Sequence, residues 1–330
     1  MRQWMPTVGQ RPEGRLSLTR VGLGQSNLTF RLIDQSGKKW VLRRPPLGRL
    51  LESAHDVARE ARILKALGPT AVPVPQVYGE LPRGATSDGA PAFLMSWVDG
   101  NVVDTMNSAE ALDAEGRRSI SVGLARTLAR IHAVDVQRAG LSELASHKAY
   151  APRQLKRWKG QWEQSKTREL PRLDDLTLWL EQRLPVEREV VLVHGDFHVR
   201  NVIVTAGTSD VAAVLDWELS SLGHPLADLG TLLAYWPHPG EVGLGGFTPT
   251  ALPGFLTRDS MIAEYARASE ADVGDIVFWQ VLALWKLAII AEGVLRRTKD
   301  QPLNKAAAGA PEAAEISGLV DRAWHVIAHA

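Results

Sequence analysis

The stretch LVHGDFHVRNVIV at residues 192–204, followed by VAAVLDWELSSLGHPLADLG at residues 211–230, decides how this chain is read. Val190 to Val193, Asn201 to Val204 and Val211 to Leu215 are short apolar, β-branched runs, the pattern of brief buried strands. Gly207-Thr208-Ser209-Asp210 supplies a hairpin turn between the last two. Oxygen-bearing side chains sit at the ends of these runs. His194, Gly195 and Asp196 follow the first, Asn201 lies five residues beyond Asp196, and Asp216 follows the third. A loop Asp, an Asn five residues on and a second Asp beyond a hairpin is the order in which kinases assemble a phosphoryl-transfer site. There the first Asp receives the acceptor hydroxyl proton, and the other two residues hold magnesium. Mg²⁺ is a hard cation that prefers oxygen, so carboxylate and amide groups suit it and His does not. Asp196 need not be a strong base, because the transition state is loose and positioning dominates. A plainer reading has Asp196 and Asn201 bracing a strand-to-loop corner and Asp216 capping a helix. Both motifs, in this order and each after an apolar run, favour chemistry.

The flanking sequence divides into two textures. Arg15 to Val21, Leu28 to Asp34 and Lys39 to Arg43 read as strands. A helical pattern follows through Val57, Ala61, Leu64 and Leu67, with Ser53 placed to cap it and Gly68-Pro69 to end it. Val74 to Tyr78 and Pro91 to Val98 read as two more strands. After Asp99-Gly100 the chain becomes helical, with a buried stripe at Leu124, Leu128 and Ile131 and a short helix from Asp174 to Leu184. From Leu226 onward it is helical except for a Gly- and Pro-rich loop from Pro237 to Gly254. A small sheet lobe over residues 1–98 and a larger, mainly helical lobe over residues 99–330 is the simplest architecture.

Composition narrows the function. The 330 residues are 45% hydrophobic and 23% charged, the balance of an ordinary globular protein rather than a disordered one. Lys and Arg number 38 against 37 Asp and Glu, a net charge of +1, so no global field draws nucleic acid or an anionic membrane. Cysteine is absent, which removes disulfides, thiolate nucleophiles and cysteine metal sites. The first fifteen residues lack a secretory core, and the apolar run Ile276 to Ala291 is 16 residues long with Gln280 and Lys286 inside it. It reads as a core helix rather than a span, which needs about 20 apolar residues. A cytoplasmic protein with no membrane or nucleic-acid partner is expected.

The two motifs resemble those of the aminoglycoside phosphotransferase family, relatives of choline kinase and protein kinases. The resemblance is to the branch associated with acyl-CoA dehydrogenases. GLGQSNLTFRL (22–32), WVLRRPP (40–46), SAHDVAREARIL (53–64), PAFLMSWVDG (91–100) and LARTLARIHAVD (124–135) fall in the same order as in that family. The resemblance implies an α+β protein kinase-like fold with two lobes: a small antiparallel-sheet lobe with one helix, and a larger mainly helical lobe. It implies ATP or GTP and Mg²⁺ as cofactors and a small-molecule hydroxyl as acceptor. Asp196 would be the catalytic base, Asn201 and Asp216 the metal ligands, and Glu218 a further acidic group that takes a second metal or fixes the loop. His194 would brace the backbone, and His198 could face the acceptor, solvent or the core.

On the nucleotide side, Gly22, Gly24 and Ser26 stand where a phosphate-covering loop belongs, though Asn27 replaces its third glycine. Arg43 stands where the family places a lysine, and Glu60 would pair with it. Strand alternation sends Arg43 and Arg44 to opposite faces, so one of them alone can enter the cleft. Met95 and Trp97 occupy the hinge position, where backbone groups would read the base.

Lys148 to Trp162 carries Lys148, Arg153, Lys156, Arg157 and Lys159 with no acidic residue, while Leu155, Trp158 and Trp162 share the other face. Either this basic face receives an anionic acceptor, such as the phosphates of coenzyme A, or it is simply solvated. It would repel a cationic aminoglycoside. Trp236 and the loop after it could form a lid. The branch resemblance implies a hydroxyacyl-type acceptor or its CoA thioester, ahead of antibiotic modification. Two other classes stay open: a nucleotide-binding pseudoenzyme disabled by the missing lysine, and a metallohydrolase on His194, His198 and Asp216. The second needs its His pair on a helix, which Gly195 opposes.

Overall fold

The computed structural model describes residues 1–22, 27–46, 56–82, 86, 89–144, 149–205, 208, 210–241, 243–300 and 310–329. Five strands, β1 (Ser17–Val21), β2 (Leu28–Ile33), β3 (Lys39–Arg44), β4 (Val77–Glu80) and β5 (Phe93–Ser96), form one antiparallel sheet in the order β1-β2-β3-β5-β4. Strand alternation gives the sheet two apolar faces. Trp40, Leu42, Leu32 and Leu94 pack with Met5 from a short 3₁₀ turn, Met5–Val8, and Gln10 accepts the Trp40 indole hydrogen bond at 2.9 Å. Val41, Phe93 and Met95 face α1 (Val57–Leu67), whose Ile63, Leu64 and Leu67 bury against them.

Arg43 shares the α1 face with Val41, and Arg44 leaves on the other side, its Nε donating to the Pro45 carbonyl. Asp56 caps α1 by accepting from the Arg59 amide at 2.9 Å. Ser53, the cap expected from the sequence, lies outside the described residues. The strand expected at Val74 to Tyr78 begins instead at Val77, because Pro73 and Pro75 have no N–H to give a ladder.

The rest of the chain carries α2 (Met106–Glu110), α3 (Ala114–His132), α4 (Tyr150–Ser165), α5 (Pro171–Gln182), α6 (Pro225–Ala234), α7 (Arg258–Ser269), α8 (Ile276–Asp300) and α9 (Ala313–Ala328). Two short antiparallel pairs interrupt them. β6 (Val191–Val193) pairs with β9 (Ser221–Gly223), and β7 (Val202–Val204) with β8 (Val211–Val214). The strand β9 has no strand-like signal in its Ser-Leu-Gly sequence; it forms because β6 needs a partner. The architecture is α+β, with the small antiparallel sheet, its one helix and the larger helical part expected from the sequence.

The helix α8 is the axis of the helical part. It is 25 residues long rather than 16, since the charged turn from Glu292 to Asp300 continues it. It packs against α4, α5, α6 and α9, and 78% of its most apolar window is buried inside the protein. Gly230 lets α6 touch it: a Cβ there would lie 2.4 Å from the Trp279 carbonyl oxygen. Gly230→Ala should therefore cost about 1–3 kcal/mol of stability through overpacking. Gly160→Ala on α4, where nothing lies within 4 Å of a new Cβ, should gain roughly 0.5–1 kcal/mol from the lower backbone entropy of alanine. Urea denaturation of the two variants checks both signs.

Candidate active site

The first motif is shaped by a buried carboxylate. Asp228, on α6 and 1% exposed, accepts hydrogen bonds from the backbone amides of His194 at 2.5 Å and Gly195 at 2.8 Å. Gly195 takes φ 85°, and a Cβ on it would stand 2.6 Å from the Leu219 carbonyl oxygen, so only glycine fits. His194 braces the loop as expected. Its Nε2 donates to the Leu215 carbonyl at 2.9 Å, and its Nδ1 accepts from the Asp196 amide at 3.3 Å. With both ring nitrogens engaged it cannot serve a metal, and among the described residues no cluster of three or more His, Asp or Glu side chains is arranged to hold one. His132 and Tyr265 continue the buried network behind Asp228, at 3.5 and 2.7 Å in sequence.

Asp196 emerges from this brace with its side chain 29% exposed to the cleft. Asn201 Nδ2 donates to the Asp196 backbone oxygen at 2.9 Å and to its carboxylate at 3.1 Å. The Asn201 side-chain oxygen takes no part in these two bonds. His198 is buried rather than solvent-facing. It stacks on Tyr235 at 4.2 Å between ring centroids, with its Nε2 3.4 Å from the Asp196 carboxylate. Burial would raise the Asp196 pKa, but His198, Lys286 and His194 outweigh it and hold the carboxyl well below the usual range. Burial and the Asp196 charge push the Tyr235 phenol above its ordinary value, so it stays protonated.

The second motif is tied to the sheet. Asp216 adopts φ 65° and ψ 60°, a left-handed conformation rarely taken outside glycine. Its side chain does not cap the following turn; it meets Arg43. Arg43 spans three partners, Glu60 at 2.8 Å through Nε, Thr29 at 3.0 Å through Nη1, and Asp216 through Nη2. Glu60 is thus a buried partner of Arg43, not an exposed helix charge. Burial, with Asp216 and Glu218 nearby, pushes the Glu60 carboxyl up to about 7 against the pull of Arg43. Asn27 donates to Glu218 at 2.9 Å and reaches Glu60 at 3.4 Å. From α1, Arg59 donates to the carbonyl of Glu218 at 3.0 Å and to that of Ser220. Asp216 and Glu218 offer the hard-oxygen donors that a divalent cation takes, with Arg43 as their present counter-charge.

The remaining nucleotide-side residues are more dispersed. Gly22 follows β1 with φ 79°, a conformation that favours glycine. Gly24 and Ser26 lie outside the described residues. Met95 is held inside the sheet between Val41 and Val77. Trp97 follows β5, its indole donating to Asp99 at 2.8 Å, and the Arg31 and Lys39 cations lie over its ring.

Beside Asp196 opens a cleft of about 460 Å³. Asp196, Glu218, Arg153, Arg157 and Lys286 all line it, with Tyr150, Trp158 and Tyr235. The basic face of α4 therefore divides. Lys159 turns outward to Glu181 at 2.7 Å, whereas Arg153 and Arg157 reach the cleft. Among the described residues, neither arginine meets a carboxylate at ion-pair distance; Arg153 donates to the Leu222 carbonyl and lies over Tyr150. Sequence reasoning missed Asp228, Tyr235, Arg59 and Lys286. The last had a visible signal, a lysine inside an apolar helix. The Pro237 to Gly254 loop is gripped where Arg258 and Arg322 meet Glu241, and its Phe247 lies under Arg200 of the catalytic loop at 4.8 Å.

A sheet with one helix beside a helical body, and an Asp–Asn–Asp set where the two meet, define a kinase-like phosphotransferase. The chain belongs to the phosphotransferase enzyme family, whose profile matches residues 17–275. It is 34% identical over 307 residues to mouse acyl-CoA dehydrogenase family member 11, a match that covers 90% of this chain and 38% of that protein. Against mouse acyl-CoA dehydrogenase family member 10 the identity is 33%, covering 88% of this chain and 27% of the relative. The chain thus spans well under half of these relatives. A crystal structure from Ralstonia eutropha, assigned provisionally to the aminoglycoside phosphotransferases, superposes with a TM-score of 0.79 at 28% identity, covering 99% of this chain and 97% of that one.

Asp228→Asn keeps the size but places an amide donor against two amide donors. It should cost about 2–4 kcal/mol at neutral pH, from hydrogen bonds to a charged group. Because the Asp228 pKa is depressed in the folded state, with the His132 interaction overcoming burial, its contribution is present above about pH 4 and is lost as pH falls through the folded value. The stability gap between the two proteins, measured by denaturant titration, should narrow on acidification.

Proposed function

We propose that this protein transfers the γ-phosphoryl group of MgATP to a hydroxyl of an anionic small molecule of the hydroxyacyl type, including its CoA thioester. One observation carries the reading: the cleft beside Asp196 is lined by Arg153, Arg157 and Lys286, cations with no carboxylate partner among the described residues. Such a wall attracts a carboxylate or phosphate and repels a polycationic aminoglycoside. The names of the mouse relatives, which point to acyl-CoA chemistry, support the same class.

Residues 1–98 would form the nucleotide lobe and residues 99–330 the lobe with the catalytic loops and acceptor site. Gly22, Gly24 and Ser26 would cover the phosphates, Arg43 would contact them from its seat on Glu60, and the backbone around Met95 and Trp97 would read the base, of ATP or GTP. Asn201 and Asp216, with Glu218 beside them, would hold Mg²⁺, which when bound neutralises phosphate charge. Asp196 would accept a hydrogen bond from the acceptor hydroxyl and take its proton. Its depressed pKa suits an orienting carboxylate better than a strong base, as a loose transition state requires.

Arg43 also bears on the pseudoenzyme reading. A guanidinium is always charged, and here it pairs with the Glu60 carboxylate of α1, the pairing expected of the family lysine, and also meets Asp216. Retention of that bridge favours an active enzyme.

Mass spectrometry with MgATP or MgGTP and a panel of hydroxyacyl-CoAs, hydroxy acids, choline-like alcohols and aminoglycosides tests the proposal. Wild-type protein should add one phosphoryl group to an anionic acceptor. Asp196→Asn should slow this by about 10²–10⁴-fold and spare nucleotide binding. Transfer to aminoglycosides in preference, or Mg²⁺-dependent nucleotide binding with no product from any acceptor, would overturn it. Replacing Arg153 and Arg157 together by Glu should raise KM for a CoA thioester by about 10-fold or more and leave KM for MgATP unchanged, as steady-state kinetics would show.

A further inference from the structure

Lys286 is the one charged residue in the apolar run from Ile276 to Ala291. Its ammonium is directed off the α8 core into the cleft wall, beside Ala283, Leu287 and Ile290 of the same helix. There it finds little to hold it. Its Nζ donates to the Gly195 carbonyl at 3.3 Å and stands 5.6 Å from the centre of the Trp158 ring. Among the described residues no carboxylate lies within ion-pair distance of it. An ammonium has three donors, and one carbonyl uses one of them. An apolar side chain of similar length would fill this place without the cost of burying a charge, so stability alone gives no reason for lysine here. Burial accordingly lowers its pKa, although Asp196 and Asp228 oppose the shift.

Position supplies the reason. Gly195 directly precedes Asp196, so an oxygen bound to the free donors of Lys286 would sit next to the group that receives the acceptor hydroxyl. Arg153 and Arg157 line the same cleft from α4. We propose that Lys286 is the specificity-determining donor of the acceptor site, binding a carboxylate or thioester-carbonyl oxygen a few carbons from the hydroxyl to be phosphorylated, while the α4 arginines take a more distant anion. This assignment rests on the anionic-acceptor reading above and adds to it a spacing: hydroxyl and carbonyl oxygen must be close enough to meet Asp196 and Lys286 together.

The test compares wild-type protein with Lys286→Met and Lys286→Arg. The probes are 3- and 4-hydroxybutyrate, their CoA thioesters, and the matching butanediols, which keep the hydroxyl and lack the carbonyl. Affinity for Mg·AMP-PNP, read by calorimetry, should be the same in all three proteins and shows that the variants fold. Lys286→Met should raise KM for the hydroxy acids and their thioesters by about 30-fold or more and change KM for the diols far less, collapsing the discrimination between them. Lys286→Arg should restore part of it.

An equal loss of kcat on acids and diols would overturn the assignment and make Lys286 a brace for the Gly195 carbonyl. Where an acceptor binds without turnover, its dissociation constant in the presence of Mg·AMP-PNP replaces KM; an unchanged value in Lys286→Met would likewise overturn it. If wild-type protein neither binds nor phosphorylates any anionic probe, the acceptor class itself falls, and the role of Lys286 with it.

Discussion

The buried carboxylate of Asp228 is the contact on which the candidate site depends. It receives the amides of His194 and Gly195 at the end of β6, where the chain must leave a strand and turn toward the cleft. An ionised group with 1% exposure is tolerated only when its lone pairs are filled, and here backbone donors and His132 fill them. The turn it holds fixes Gly195 at positive φ against Leu219, which brings the strand bearing Asp196 into contact with the segment that follows Asp216. His194 repeats the tie from the other side by donating to Leu215. The two motifs are thus one rigid unit, tied by the Asp228 and His194 side chains to backbone atoms, with Asp196 left facing the cleft.

A second set of contacts joins that unit to the sheet. Arg43 reaches Asp216, Asn27 reaches Glu218, and Arg59 donates to the carbonyls of Glu218 and Ser220. A lysine at position 43 would present one point charge to Glu60 and Asp216. The arginine fork serves both and Thr29 as well. Asp216 is held in a conformation costing of order 1–3 kcal/mol in isolation, and these ties are what over-determine it. The left-handed turn points the carboxylate at the sheet instead of at the helical turn it precedes.

The residues that made the fold legible are those whose identity is dictated locally. The β-branched runs, the Gly-Asp and Asp-Trp corners and the apolar stripe of α3 each state their structure in a few positions, and Asp196, Asn201 and Asp216 fall where that pattern puts them; Arg43 and Glu60 come from the family resemblance. What stayed hidden depends on distant partners. Asp228 reads as an ordinary first-turn acid of α6, and only the fold shows that two amides from β6 arrive at it. The strand β9 exists by virtue of β6, and the long α8 is extended by polar residues that no apolar pattern marks. Likewise, the basic face of α4 could not be divided into solvent-facing and cleft-facing halves until α8 was in place beside it.

That division gives the site its electrostatic character. The chain is nearly neutral overall, with a formal charge of +1, so any selection by charge must come from local arrangement. Carboxylates from Asp216, Glu218 and Glu60 gather where the motifs meet the sheet, and cations from α4 and α8 line the cleft beside Asp196. Like charges kept together in a partly enclosed space are costly unless a ligand of opposite sign completes them. On the proposed function, a metal cation would complete the acidic cluster and an anionic acceptor the basic wall. Both halves of the reaction would then be drawn in by the same unbalanced field, with Asp196 at the boundary between them, where a hydroxyl must sit to meet the phosphoryl group.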